Sequence, residues 1–185
     1  MIPIEDQKIL LKLARDSISS YFTKENINNP KLEKRFLTKQ GLFVTLKKAE
    51  ELRGCIGFTK PHFTTYDGVK QAAKSSAFDD PRFSQVTQEE LDLIKIEISI
   101  LTEPKLIEVK NFSEYLDVIE LGKFGLLIKS TDGKEGLLLP QVPEEHGWDV
   151  KEFLQFTCEK ARIPFDAWTK SETKIYSFEC EIFSE

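Results

Sequence analysis

Long apolar runs, paired cysteines and glycine-rich phosphate loops are all missing from this 185-residue sequence. No apolar stretch reaches the roughly 18 residues that a membrane helix requires. Residues 1–6 carry acids early and no signal-peptide pattern. The expectation is a soluble, cytoplasmic protein with no membrane partner. Cysteine is scarce: three residues, an odd number, widely spaced and without a Cys-x-x-Cys pair. That excludes a disulfide framework and fits a reducing compartment. The two histidines, His62 and His146, do not stand at helical ligand spacing, so no metal site is expected. Gly122-x-x-Gly125 and Gly133-x-x-Gly136 both lack the Gly-Lys-Ser/Thr ending of a phosphate loop. A net charge of −5 argues against nonspecific nucleic-acid binding, which depends on a basic surface. None of this names a cofactor.

What the chain does have is 14 phenylalanines and enough length for a sizeable core. One domain over residues 1–185 is expected, with room for two lobes. Ile9, Leu10, Leu13, Ile18, Tyr21 and Phe22 fall on one stripe of helical period and predict a helix over 5–22. A short helix is expected over 31–38. Strands over 41–46 and 52–58, joined by a polar turn, read as a hairpin. The segment from Thr65 to Phe78 predicts a helix whose buried face, Val69, Ala72, Ala73, Ser76 and Ala77, is small enough to lie close on a sheet. Thr87-Gln88-Glu89-Glu90 has capping-box spacing. Ile94, Ile96, Ile98 and Ile100 alternate with polar residues as in a half-buried strand. Further on, the pattern predicts a helix over 111–119 capped by Asn111, a hairpin of 124–129 with 136–139 around Asp132-Gly133, a helix from Asp149 to about 161, and a strand over 174–183. Hairpins and helices mix without strict βαβ alternation. The fold class is therefore α+β, a mostly antiparallel sheet with flanking helices.

Arg53-Gly54-Cys55-Ile56-Gly57 is the segment richest in chemistry. On a regular strand Arg53, Cys55 and Gly57 share a face. The glycines bare the thiol's surroundings to a close approach, and a neighbouring arginine favours the thiolate, the reactive form. A small buried hydrophobe is the competing reading of any free cysteine. Cys158 and Cys180 read as core. Asp79-Asp80-Pro81-Arg82-Phe83 offers Asp80 and Arg82 either as a local ion pair that stops a helix or as a carboxylate and guanidinium for an anion. Glu97 stands on the polar side of the isoleucine strand, solvated or serving as an acid–base group. Gln141, Glu144, Glu145, His146 and Trp148 read as a polar loop, either simply pinned by Trp148 or forming the lip of a pocket, with His146 a candidate base.

Four stretches resemble the AMMECR family in its archaeal and bacterial branch, also called protein A of the AmmeMemoRadiSam system. They are Leu52-Arg53-Gly54-Cys55-Ile56-Gly57, Asp80-Pro81-Arg82-Phe83, Ile96-Glu97-Ile98-Ser99-Ile100-Leu101-Thr102 and Gly136-Leu137-Leu138-Leu139-Pro140-Gln141-Val142. Gly147-Trp148, Phe153-Leu154, Cys158-Glu159-Lys160-Ala161 and Asp166-Ala167-Trp168 extend the likeness. Asp79 stands where that pattern has arginine, and Arg162 where it has glycine. The resemblance implies an α+β fold of two unequal lobes with a cleft, and partners of the Memo type or the radical-SAM type. It supplies no reaction. Three functions follow as expectations. The first is an enzyme with Cys55 as nucleophile or redox thiol, Arg53 as its support, Glu97 or His146 as proton carrier, and Gly54, Gly57, Asp80, Arg82 and Gln141 against a small polar or anionic ligand. The second is a binding module for one of those partners. The third is an RNA-associated protein.

Overall fold

The computed structural model describes residues 2–27 and 29–185. The chain divides into two compact units, Met1–Leu101 with Glu181–Glu185, and Thr102–Cys180.

In the first unit, helices α1 (Ile4–Thr23), α2 (Pro30–Arg35) and α3 (Thr65–Phe78) accompany strands β1 (Leu42–Lys48), β2 (Glu51–Phe58) and β3 (Ile94–Leu101). Helix α2 starts where Asn29 accepts hydrogen bonds from the Lys31 and Leu32 N–H groups and Pro30 occupies the first turn. Thr64 caps α3 through the Asp67 N–H. A 3₁₀ turn over Gln88–Leu93 leads into β3, and the capping box of Thr87 and Glu90 closes as expected.

The sheet runs β2-β1-β3 and ends on β8 (Cys180–Ser184), the last strand of the chain. Leu42, Val44 and Leu46 of β1 and the even-numbered isoleucines of β3 point to one face, where α1 and α3 cover them. Val69, Ala72, Ala73, Ser76 and Ala77 are all buried on α3, so the small-residue face packs as expected.

The second unit holds β4 (Lys105–Leu106), α4 (Tyr115–Val118), β5 (Gly125–Ser130), β6 (Glu135–Leu138), α5 (Gln141–His146), α6 (Val150–Lys160) and β7 (Thr173–Phe178). Its antiparallel sheet has the order β4-β7-β5-β6. Helix α6 packs Phe153, Leu154 and Cys158 against Leu126, Ile128 and Ile175. Asp149 and Glu152 form a capping box at its start. The α+β class and the antiparallel pairing are thus present in both units.

Three expectations need correction. The helix expected over 111–119 is a 3₁₀ turn, Phe112–Glu114, followed by one α-turn, though Asn111 does cap it. The polar loop after Pro140 is helical as α5. The strand expected over 174–183 is two strands in two sheets, β7 and β8. With that break Cys180 is half-buried rather than core, while Cys158 is fully buried. Among the described residues, no helix is long and apolar enough to cross a membrane.

Candidate functional site

Strand β2 is the free edge of its sheet, and Cys55 lies in the middle of it. In register, Cys55 pairs with Thr45 of β1, and Thr45 pairs with Glu97 of β3. Cross-strand partners share a face, so thiol, hydroxyl and carboxylate form one row across three strands. The Thr45 hydroxyl donates to Cys55 Sγ over 3.2 Å. Glu97 is bonded to Lys47 Nζ at 2.9 Å, so the carboxylate is already engaged.

An edge strand exposes backbone groups. At Cys55 two side chains occupy them. Asp80 Oδ2 accepts from the Cys55 N–H at 2.8 Å, and Arg82 Nη2 donates to the Cys55 carbonyl at 3.1 Å. Those two side chains are bonded to each other, Nε to Oδ1 at 3.0 Å and Nη2 to Oδ2 at 2.7 Å. Asp80 is buried and Arg82 exposed, the geometry of a clamp with a dry base and a wet cation. The Arg82 hydrogen bond, against the cost of burial and with help from the Cys55 and Arg82 N–H groups, holds the Asp80 carboxyl well below the usual range. The same bond raises the Arg82 guanidinium, again against burial, with the Asp80 charge and the Cys55 thiol adding to it.

Arg53 does not support the thiol. The β1–β2 register shifts at Leu46/Lys47 and leaves Arg53 with no partner on β1, the extra residue of a β-bulge. The period-2 rule that put Arg53 beside Cys55 fails at a bulge. Its guanidinium is bound to Glu90, Nε to Oε1 at 3.2 Å and Nη2 to Oε2 at 3.0 Å, and to the carbonyls of Ser84 and Gln85. Lys48 adds a further bond to Glu90. Hydrogen bonds from Arg53, then from Lys48, overcome burial and lower the Glu90 carboxyl to about 2.

The glycines are taken up by protein contacts. A Cβ on Gly54 would lie 2.1 Å from the Ser76 carbonyl oxygen of α3. One on Gly57 would meet the Leu42 carbonyl at 2.3 Å and the Phe43 ring at 2.4 Å. Close approach is indeed their use, but the approaching atoms are the protein's own.

Gln141 and His146 stand on α5 in the second unit. His146 stacks on Trp148 with ring centroids 4.7 Å apart. Gln141 Oε1 is buried without a hydrogen-bond partner among the described residues. Cys55, Asp80 and Arg82 are therefore brought together, with Glu97 in the same row. Arg53 joins a separate ion network. Thr45 takes part without any signal in the sequence, while Ser76 was read only as small helix packing and Glu90 only through its capping-box spacing. Among the described residues, no cluster of three or more His, Cys, Asp or Glu side chains could hold a metal ion.

Comparison with known proteins gives a consistent result. The family model AMMECR1 matches residues 11–183. Protein MK0488 of Methanopyrus kandleri is 43% identical over 188 residues, covering 100% of this chain and 90% of its own length. Protein MJ0810 of Methanocaldococcus jannaschii is 43% identical over 187 residues, covering 100% of this chain and 92% of its own. The crystal structure of the uncharacterized protein PH0010 from Pyrococcus horikoshii superimposes with a TM-score of 0.89 at 42% identity, covering 100% of this chain and 93% of that one.

Proposed function

This chain belongs to the AMMECR1 family, and from that premise we propose that it acts through Cys55, as a thiol nucleophile toward a small polar or anionic substrate. One observation carries the reading: the Thr45 hydroxyl donates to Cys55 Sγ while Arg82 is fixed across the same residue's backbone. The thiolate is the attacking form of a thiol, and the Thr45 hydroxyl is aimed at that sulfur. Arg82 replaces Arg53 as the cation in this proposal, and its exposed guanidinium also suits an anionic substrate group. Glu97 would need to leave Lys47 before it could carry a proton.

Alkylation by iodoacetamide at pH 7, followed by peptide mass mapping, tests the proposal. Cys55 is expected to react roughly tenfold faster than the half-buried Cys180. Thr45→Val, which removes the hydroxyl at nearly constant shape, and Arg82→Gln should each slow Cys55 several-fold. Equal rates at Cys55 and Cys180, unmoved by either variant, sink the nucleophile. In that case docking of a Memo-type or radical-SAM partner on the Asp80–Arg82 clamp takes its place, read out as loss of partner binding in Arg82→Gln.

A further inference from the structure

The second unit carries a groove that the Cys55 reading does not use. It is a solvent-open groove of about 440 Å³ lined by Leu138, Trp148, Phe156, Glu159, Lys160 and Arg162. That size lies within the range of small-molecule sites, roughly 300–1,000 Å³.

One wall is a stack of rings. Trp148 lies nearly parallel to Phe156, centroids 4.0 Å apart and planes at 14°, and nearly parallel to His146, centroids 4.7 Å apart at 16°. Phe165 closes the row edge-on against Phe156. The stack fixes both groove-lining rings in place, and rigid aromatic surface loses little entropy on binding a flat apolar body.

Three charged side chains, all exposed, complete the lining. Lys160 and Arg162 form no ion pair or side-chain hydrogen bond among the described residues, and neither does Glu159. Two unpaired cations with one unpaired carboxylate beside rigid rings form a specific combination. It suits a ligand with an aromatic body, an anionic group and a hydrogen-bond donor.

Arg162 adds a second observation. Helix α6 ends in a Schellman motif: the Ile163 N–H bonds the Cys158 carbonyl at 3.1 Å, and the Arg162 N–H bonds the Glu159 carbonyl at 2.8 Å. That motif puts Arg162 in the left-handed region, at φ 57°, where glycine is favoured. The chain places a guanidinium at the groove in a backbone position that any side chain strains.

We infer that the groove between Trp148, Phe156, Lys160 and Arg162 binds a small aromatic anion of the nucleoside monophosphate type. The base packs against the Trp148–Phe156 wall, Lys160 and Arg162 hold the phosphate, and Glu159 accepts from an amino or hydroxyl group.

Isothermal titration of the full chain with AMP, adenosine and inorganic phosphate tests this. AMP is expected to bind, with adenosine and phosphate each roughly tenfold weaker or more, because each supplies one half of the recognition. Arg162→Gly should weaken AMP roughly tenfold while raising the thermal midpoint, so loss of binding cannot be loss of fold. Lys160→Gln, at an exposed position, should weaken AMP without moving the midpoint. The inference is overturned if AMP gives no binding heat. It is equally overturned if AMP binds no tighter than adenosine, or if both variants bind it as wild type does.

Discussion

Ser76 is a small polar residue in an otherwise apolar helix face, and its hydroxyl holds β2 in place. Its Oγ accepts from the Ile56 N–H at 2.8 Å and donates to the Val44 carbonyl at 2.7 Å, so a helix side chain bridges two paired strands next to Cys55. Serine at a buried helix position reads as small packing, and that reading was available from the sequence. The bridging was not, because it depends on how closely the α3 backbone approaches Gly54. Ser76→Ala is expected to cost about 1–3 kcal/mol, since it strands a buried N–H and a carbonyl. Gly54→Ala should cost at least as much, because its Cβ would overlap backbone rather than a movable side chain. Urea midpoints measure both. An unchanged midpoint for Ser76→Ala would mean that Ile56 and Val44 pair directly once the hydroxyl is gone.

At the scale of elements, periodicity located the long pieces and missed phase slips. Helix α3 and the isoleucine strand were legible because each keeps one period throughout. The bulge at Arg53 had a marker in Gly54, an isolated glycine inside a strand, but that glycine reads equally as a close approach, and the bulge is what turns Arg53 away from Cys55. Glu179 is a second slip. Buried Phe178 and buried Phe183 are five residues apart, an odd spacing that one strand cannot put on one face, and this parity was readable in advance. The hairpin turn between β1 and β2 carries a third irregularity. Ala49 and Glu50 both have positive φ, 52° and 66°, at positions where a primed two-residue turn favours Asn-Gly. The double variant Ala49→Asn, Glu50→Gly should therefore stabilise the protein by about 1 kcal/mol. The Glu50–Lys95 pair it removes is exposed at both ends and worth little. Thermal melts check this. A lower midpoint would show that the turn is held by contacts of these two side chains rather than strained by them.

Across the molecule, the charges that matter to stability are unevenly shared. Asp80 and Glu90, the two shielded carboxylates with depressed pKa values, both lie in the first unit. In the second unit Asp132 is also lowered to about 2, by Lys134 and Ser130, but its side chain is half exposed and water screens it. A carboxyl whose folded pKa lies below its unfolded value stabilises the fold above the unfolded pKa, and that contribution disappears as pH falls through the folded one. For Glu90 the window runs from the ordinary 4.5 down to about 2, and Asp80 extends it lower. Stability should hold from neutral pH to about 5, then fall steeply below 4.5. Glu90→Gln should be less stable than wild type at pH 7 and show a shallower acid slope, because that linkage is already gone. Hydrogen exchange at about pH 3 should lose protection in β1 and β2 before β5 and β7, since the proton-linked clamps hold only the former pair. Denaturant titrations at several pH values decide the matter. If wild type and Glu90→Gln lose stability in parallel on acidification, the Arg53–Glu90–Lys48 network does not set the acid limit, and the role of holding β2 at low pH passes to Asp80 and Arg82 alone.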